Sequence, residues 1–151
     1  MKQSLLNKML KLIVEKHDGQ FDKSGQPYVM HCLEVMRLAN SNDEELNCIA
    51  LGHDLMEDTD VTIEFLLENF TARIALGISG LTKESNSTYE EYLNGVAMNS
   101  DTILVKLCDL RHNSDIRRLK GLTEKDFERM KKYQNAYHFL KSKYCPLDKE
   151  P

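Results

Sequence analysis

His53 and Asp54 stand side by side, and Glu57 and Asp58 follow one turn later, in the stretch Leu51-Gly52-His53-Asp54-Leu55-Met56-Glu57-Asp58-Thr59-Asp60. Leu46, Ile49, Ala50, Leu51 and Leu55 recur around them at helical spacing, which predicts one largely buried helix from about Glu44 through Asp58. Residues four apart share a helix face, so such a helix stacks His53 over Glu57 and Asp54 over Asp58. Burying these charges without a partner costs on the order of several kcal/mol. A divalent cation is the partner that best matches one imidazole and several carboxylates. The alternative is an ordinary helix C-terminus with a solvated acidic end. A second carboxylate in apolar surroundings, Asp109, lies in Thr102-Ile103-Leu104-Val105-Lys106-Leu107-Cys108-Asp109-Leu110-Arg111-His112-Asn113. Ile103, Leu107 and Leu110 make this segment a helix, on which Asp109 and Asn113 share a face.

The elements that must carry these residues all read as helices. Positions 2–17 have Leu5, Leu6, Met9, Leu10, Leu12 and Ile13 at helical spacing. Positions 18–27 hold the glycine, serine and proline of a loop, with Pro27 suited to the first position of the next helix. Within that loop Lys23 and Ser24 offer a charge and a hydroxyl to a phosphate, or merely keep the loop wet. Positions 28–40 form a second helix with His31 near its start, where a lone histidine is usually a packed side chain. Ser41-x-x-Glu44 reads as a capping box opening the central helix, and Ser87-x-x-Glu90 as another. Thr62 reads as an N-cap, the next helix ends weakly at Gly77 and Gly80, and positions 82–88 read as polar and mobile. Arg117, Arg118 and Lys120 form a basic stretch before Gly121. Thr123 with Asp126 caps the last helix, whose stripe of Phe127, Met130, Tyr133, Tyr137, Leu140 and Tyr144 reads as core. Pro146 stops it, leaving 146–151 as a frayed tail after a single domain over 1–145.

A chain of 151 residues with a net charge of -4 fits one domain and argues against binding a nucleic-acid backbone. Small anionic substrates remain compatible if positive charge is local. No apolar run reaches spanning length, and the N-terminus lacks the uninterrupted apolar core of a signal peptide, which predicts a cytoplasmic protein with no membrane partner. Cys32, Cys48, Cys108 and Cys145 form no C-x-x-C pair and read as thiols in a reducing compartment.

Three segments in order, Gly-Gln-x-x-Lys-Ser-Gly-x-Pro-Tyr-x-x-His, His-Asp-x-x-Glu-Asp-Thr and Val-Lys-Leu-x-Asp-x-x-x-Asn, resemble the HD-domain metal-dependent phosphohydrolases. The resemblance is closest to the hydrolase domain of RelA/SpoT enzymes and the small alarmone hydrolases, and runs from Gly19 to Asn113. It implies an all-α bundle of about seven or eight helices. It also implies a catalytic metal, usually manganese, held by His31, His53, Asp54 and Asp109. By the same resemblance Glu57 and Asp58 orient the attacking water and handle its proton, while Lys23, Ser24 and Asn113 contact a nucleotide. The implied reaction is removal of the 3′-diphosphate from guanosine 3′,5′-bis(diphosphate). Two departures bear on substrate. Those enzymes carry an arginine before Lys-Ser that stacks on the guanine, where this chain has Asp22. Four residues after Asn113 they carry a leucine, where this chain has Arg117. Either Arg117 takes over part of the base contact, or the pocket is tuned to another nucleotide phosphoester. A non-catalytic helical module that binds a nucleotide is the remaining reading.

Overall fold

Side-chain oxygens just ahead of seven of the nine α-helices among the described residues decide where those helices begin, the helices that start at Val29 and Leu55 being the exceptions. The computed structural model describes residues 4–144. Ser4 accepts from the Asn7 amide and opens α1 (Leu5–Lys16). Asn40, in the left-handed region with φ 47°, closes α2 (Val29–Ala39). α3 (Glu44–Gly52) is capped by Asp43, whose carboxylate accepts from the Glu45 and Leu46 amides. The expected Ser41 box is therefore not the cap. Ser41 Oγ instead accepts from Asp43 N–H, and Glu44 ties α3 to α1 by accepting from Ser4 Oγ at 2.6 Å and the Leu6 amide at 3.0 Å. A single turn, α4 (Leu55–Asp58), is followed by α5 (Ile63–Asn69) and α6 (Ala72–Gly80), capped by Thr62 and Thr71. α7 (Tyr89–Val96) opens with a capping box of Thr88 and Glu91, one residue beyond the expected pair. α8 (Ser100–Asn113) leads through a 3-10 turn, Ile116–Arg118, to α9 (Glu124–Lys143), whose Thr123–Asp126 box is as expected. Among the described residues every regular element is helical, and eight helices exceed one turn. The Pro146 stop and the 146–151 tail lie outside the described residues.

α3 is the axis of the bundle. Leu46, Cys48, Ile49, Ala50, Leu51 and Gly52 are all buried, and α1, α2, α6 and α8 pack around them. Gly77 does not weaken α6: a Cβ there would meet Ile49 Cδ1 at 2.6 Å, so its bareness lets α6 lie against α3. α8 is buried along Ile103, Val105, Leu107, Cys108 and Leu110. α2, α3 and α8 also contact one another, which brings three distant stretches of sequence to one place.

Four expectations change here. The helix running through His53 is broken: α3 ends at Gly52, Asp54 sits at φ -102° and ψ 1°, and α4 restarts at Leu55. Pro27 is not the first helical residue, because it bridges Phe21 across the loop and the helix starts only at Val29. The 82–88 segment is strapped down, with Lys83 Nζ donating to the carbonyls of Ser87 at 2.6 Å and Glu84 at 3.2 Å. The α9 stripe is core only in part, since Leu140 is buried while Phe127 is exposed and Tyr133 lines a cavity.

Candidate metal centre and substrate cavity

The break after Gly52 is what makes the site. In a straight helix consecutive side chains diverge by about 100°, yet here His53 Nε2 and the adjacent Asp54 Oδ2 lie 2.9 Å apart. α2 brings His31 Nε2 to 3.2 Å from His53 Nε2 and 3.7 Å from Asp54 Oδ2. α8 adds Asp109 Oδ1, 3.0 Å from His31 Nε2 and 3.5 Å from His53 Nε2. Both imidazoles and Asp109 are buried, and Asp54 is half-buried. The four side chains singled out in the sequence thus converge.

Hydrogen bonds on the far side of each ring fix which nitrogen faces the cluster. His53 Nδ1 lies 2.8 Å from the Ala50 carbonyl, which only accepts, so Nδ1 carries the proton and the Nε2 lone pair points inward. His31 Nδ1 lies 2.7 Å from Nδ1 of His112, whose ring stacks on it. Burial, with the charges of Arg118 and His31, lowers His112 to about 4 and keeps it neutral, able to accept from His31 Nδ1–H. Two imidazole Nε2 atoms and two carboxylate oxygens therefore face one another. Burial alone would lower His53, but the charges and hydrogen bonds of Asp54 and Asp109 raise it well above the usual histidine value. Burial raises both carboxyls, and their cationic neighbours, with hydrogen bonds from the imidazoles, outweigh it and hold both low. Metal–ligand bonds of about 2.0–2.2 Å set neighbouring donors about 3 Å apart. The separations among His31, His53 and Asp54, and their N/O donors, fit a divalent cation, and Asp109 Oδ1 meets both imidazoles at its edge. Cys32 and Cys108 are buried and free, and neither belongs to the group of donors able to share an ion.

Surrounding groups hold these donors. Lys106 Nζ donates to Asp109 Oδ2 and Asn113 Nδ2 to Asp109 Oδ1, both at 2.8 Å. Tyr28 donates to Asp54 Oδ2 at 2.5 Å. On α4, Glu57 accepts from the Lys83 amide. Burial and the nearby Asp54 charge raise both Glu57 and Asp58, with the Lys83 bond opposing the effect at Glu57.

A cavity of about 320 Å³ opens beside His31 and is lined by Lys23, Ser24, Asn113, Arg118, Arg129 and Tyr133, among others. Burial, then the Arg129 charge, lowers Lys23. Ser24 donates its hydroxyl to Asp22 Oδ1 at 2.6 Å, so its proton is committed to the loop. Arg117 is not in the cavity. α8 ends at Asn113, so residue 117 is not one helical turn further along the same face. Its guanidinium pairs with Asp115 and is 87% exposed. Arg118, 20% exposed, lines the cavity instead. It donates to Asp22 Oδ2 at 2.7 Å and to the His112 carbonyl at 2.9 Å. Tyr28 and Lys106 were legible as named positions of the motifs and His112 as a spacer in the third, but none of the three carried an assigned role. Arg118, Arg129 and Tyr133 carried no local signal.

No protein-family model matches the chain. A guanosine-3′,5′-bis(diphosphate) 3′-pyrophosphohydrolase of Aquifex aeolicus is 38% identical over 109 residues, 66% of this chain and 16% of that protein. One of Haemophilus influenzae is 33% identical over 146 residues, 88% of this chain and 20% of that protein. A GTP pyrophosphokinase of Myxococcus xanthus is 34% identical over 113 residues, 64% of this chain and 15% of that protein. The chain thus spans a fifth or less of the length of these curated relatives. A solved structure described as a metazoan ortholog of SpoT that hydrolyzes ppGpp superposes with a TM-score of 0.77. It is 22% identical and matched over 98% of this chain and 92% of its own. With that shared fold and those relatives, the chain belongs to the RelA/SpoT-type HD hydrolase domains.

Proposed function

We propose that residues 1–145 form one hydrolase domain. It removes the 3′-diphosphate from guanosine 3′,5′-bis(diphosphate) in the cytoplasm, using manganese held by His31, His53, Asp54 and Asp109. The observation that carries the reading is the convergence of two imidazole Nε2 atoms and two carboxylate oxygens, a donor set suited to a divalent cation. When bound, such an ion supplies an acidified water and neutralises phosphoryl charge. Glu57 and Asp58, one turn beyond Asp54, orient the attacking water and accept its proton. Their raised carboxyls bring them closer to the working range of a general base. Asn113 keeps Asp109 turned inward, and Lys23 and Arg129 supply the local positive charge that an acidic protein needs to hold a phosphorylated nucleotide. Ser24 shapes the loop that presents Lys23. In place of Arg117, Arg118 is the cavity-lining guanidinium, and its terminal nitrogens are occupied by Asp22 and the His112 carbonyl.

The pairing of Asp22 with Arg118 also favours a second reading, the same chemistry on another nucleotide phosphoester, because it changes the wall away from the metal cluster. Release of pyrophosphate or phosphate from a panel of nucleotides, with and without added manganese, separates the two. Pyrophosphate from guanosine 3′,5′-bis(diphosphate) alone supports the first reading. Faster release from a nucleotide lacking a 3′-diphosphate supports the second. No release by the wild type, or equal release by Asp54→Asn, sinks both.

A further inference from the structure

α4 is a single turn, and Asp54 makes no side-chain cap to it, so nothing within the helix settles where the exposed Glu57 side chain points. A glutamate so placed has many rotamers to choose from. Its carboxylate is instead held from outside. The Lys83 amide donates to Glu57 Oε1, and among the described residues no other hydrogen bond reaches that carboxylate.

The segment that presents this amide is braced on both sides of it. Ahead of it, Leu81 is 3% exposed and its carbonyl accepts from the buried Tyr92 hydroxyl at 2.8 Å, while Thr82 Oγ1 donates to the Ile78 carbonyl at 2.9 Å. Behind it, Lys83 Nζ gathers the carbonyls of Glu84 and Ser87, and the Ser87 amide and hydroxyl both return to the Glu84 carbonyl, at 3.2 and 2.9 Å. A lysine in a polar loop normally keeps its ammonium in water. This one turns it back onto its own loop. Tyr92 also carries the Lys106 ammonium 5.4 Å from its ring centre, and Lys106 holds Asp109. The segment is thus tied through Tyr92 and Lys106 to one carboxylate of the site and through the Lys83 amide to another.

We infer that Lys83 is a positioning residue for Glu57. Its side chain closes the 83–87 loop, and the closed loop sets the amide that holds Oε1 and leaves Oε2 for the attacking water. The inference rests on the hydrolase reading, in which Glu57 orients that water. A carboxylate fixed before substrate arrives needs no reorganisation to reach its place, and a displacement of about 1 Å costs as much as about a hundredfold in rate. The charge of Lys83 has no direct part in this: it is used on two carbonyls, and what reaches Glu57 is a backbone N–H.

Lys83→Met keeps the stem and the amide and removes the ammonium. The expected result is a kcat lowered roughly tenfold to a hundredfold, with KM within about twofold and manganese affinity by calorimetry unchanged. In a Glu57→Ala background the same change should lower the residual kcat by less than about twofold, because the group it serves is gone. The Lys83 amide proton, bonded to a charged carboxylate, should lie far downfield in the wild-type NMR spectrum and move upfield in Glu57→Ala. Wild-type kcat in Lys83→Met overturns the inference. So does a loss as large in Glu57→Ala as in the wild type, which marks a purely structural role, or an amide proton that Glu57→Ala leaves in place. A wild type that turns over no phosphorylated nucleotide sinks the hydrolase reading and this role together, whereas any of those three results in an active enzyme sinks the role alone.

Discussion

Four of the site's polar contacts meet on Asp109. One oxygen faces the two imidazoles and takes the Asn113 amide, while the other takes Lys106. Asp109→Asn keeps the shape, removes a charge and sets an amide group toward the donors. The expected outcome is a loss of more than about a hundredfold in both divalent-metal affinity and kcat, read by calorimetry and by pyrophosphate release. The two neighbouring arginines give a sharper contrast. Arg117→Ala removes an exposed ion pair with Asp115 and should leave KM within about twofold. Arg118→Ala leaves Asp22, 7% exposed, without its cation and opens the cavity wall. KM should rise about tenfold, in line with the 1–3 kcal/mol that an unpaired buried polar group costs. Equal effects of the two changes would show that the cavity beside His31 is not where substrate sits.

At the scale of elements, the α3–α6 contact and the 19–27 loop each make a measurable claim. Gly77→Ala puts a methyl 2.6 Å from Ile49 Cδ1 and 2.9 Å from its Cγ1, with none of the donors His31, His53, Asp54 and Asp109 among its nearest contacts. Overpacking of this kind costs about 1–3 kcal/mol, seen as a lowered Tm with kcat little changed in the cold. The loop is organised by Asp22, which accepts from Ser24 N, Ser24 Oγ and Gln26 N as well as Arg118. Burial pushes the Asp22 carboxyl up, yet those hydrogen bonds and the Arg118 charge outweigh it and hold it at about 2. Its folded value lies below its unfolded value of 3.8, so its stabilisation is full above about pH 5 and is lost as pH falls from about 4 through about 2. Denaturant unfolding of wild type and Asp22→Asn should differ by about 2 kcal/mol more at pH 6 than at pH 2. A difference that does not change with pH would show that the Asp22 pairs add nothing to folding.

For the whole molecule, the metal cluster doubles as a clamp. Its donors come from α2, the end of α3, the α3–α4 break and α8, so a cation that binds them stabilises the folded chain only. At a hundredfold excess over Kd the gain is about 2.7 kcal/mol, or a Tm higher by about 5–10 °C for a chain of this size. Manganese should raise Tm by this amount, a chelator should reverse it, and Asp54→Ala should abolish it.

The sequence by itself determined the helical class and the motif order, because helical periodicity and the spacing of motifs are local properties, and the resemblance those motifs carry singled out the four side chains that meet. Caps were legible at Thr62 and Thr123. They slipped at Asp43 and Thr88, where the choice among neighbouring oxygens depends on what else each one binds, as with Ser41 and its turn. Only the tertiary structure decided the break at Asp54, the His53 ring proton set by the Ala50 carbonyl, the stacking of His112 on His31, and the exchange of Arg117 for Arg118. Each of these is fixed by a partner distant in sequence or by the angle at which a helix ends, and no spacing rule along the chain encodes either one.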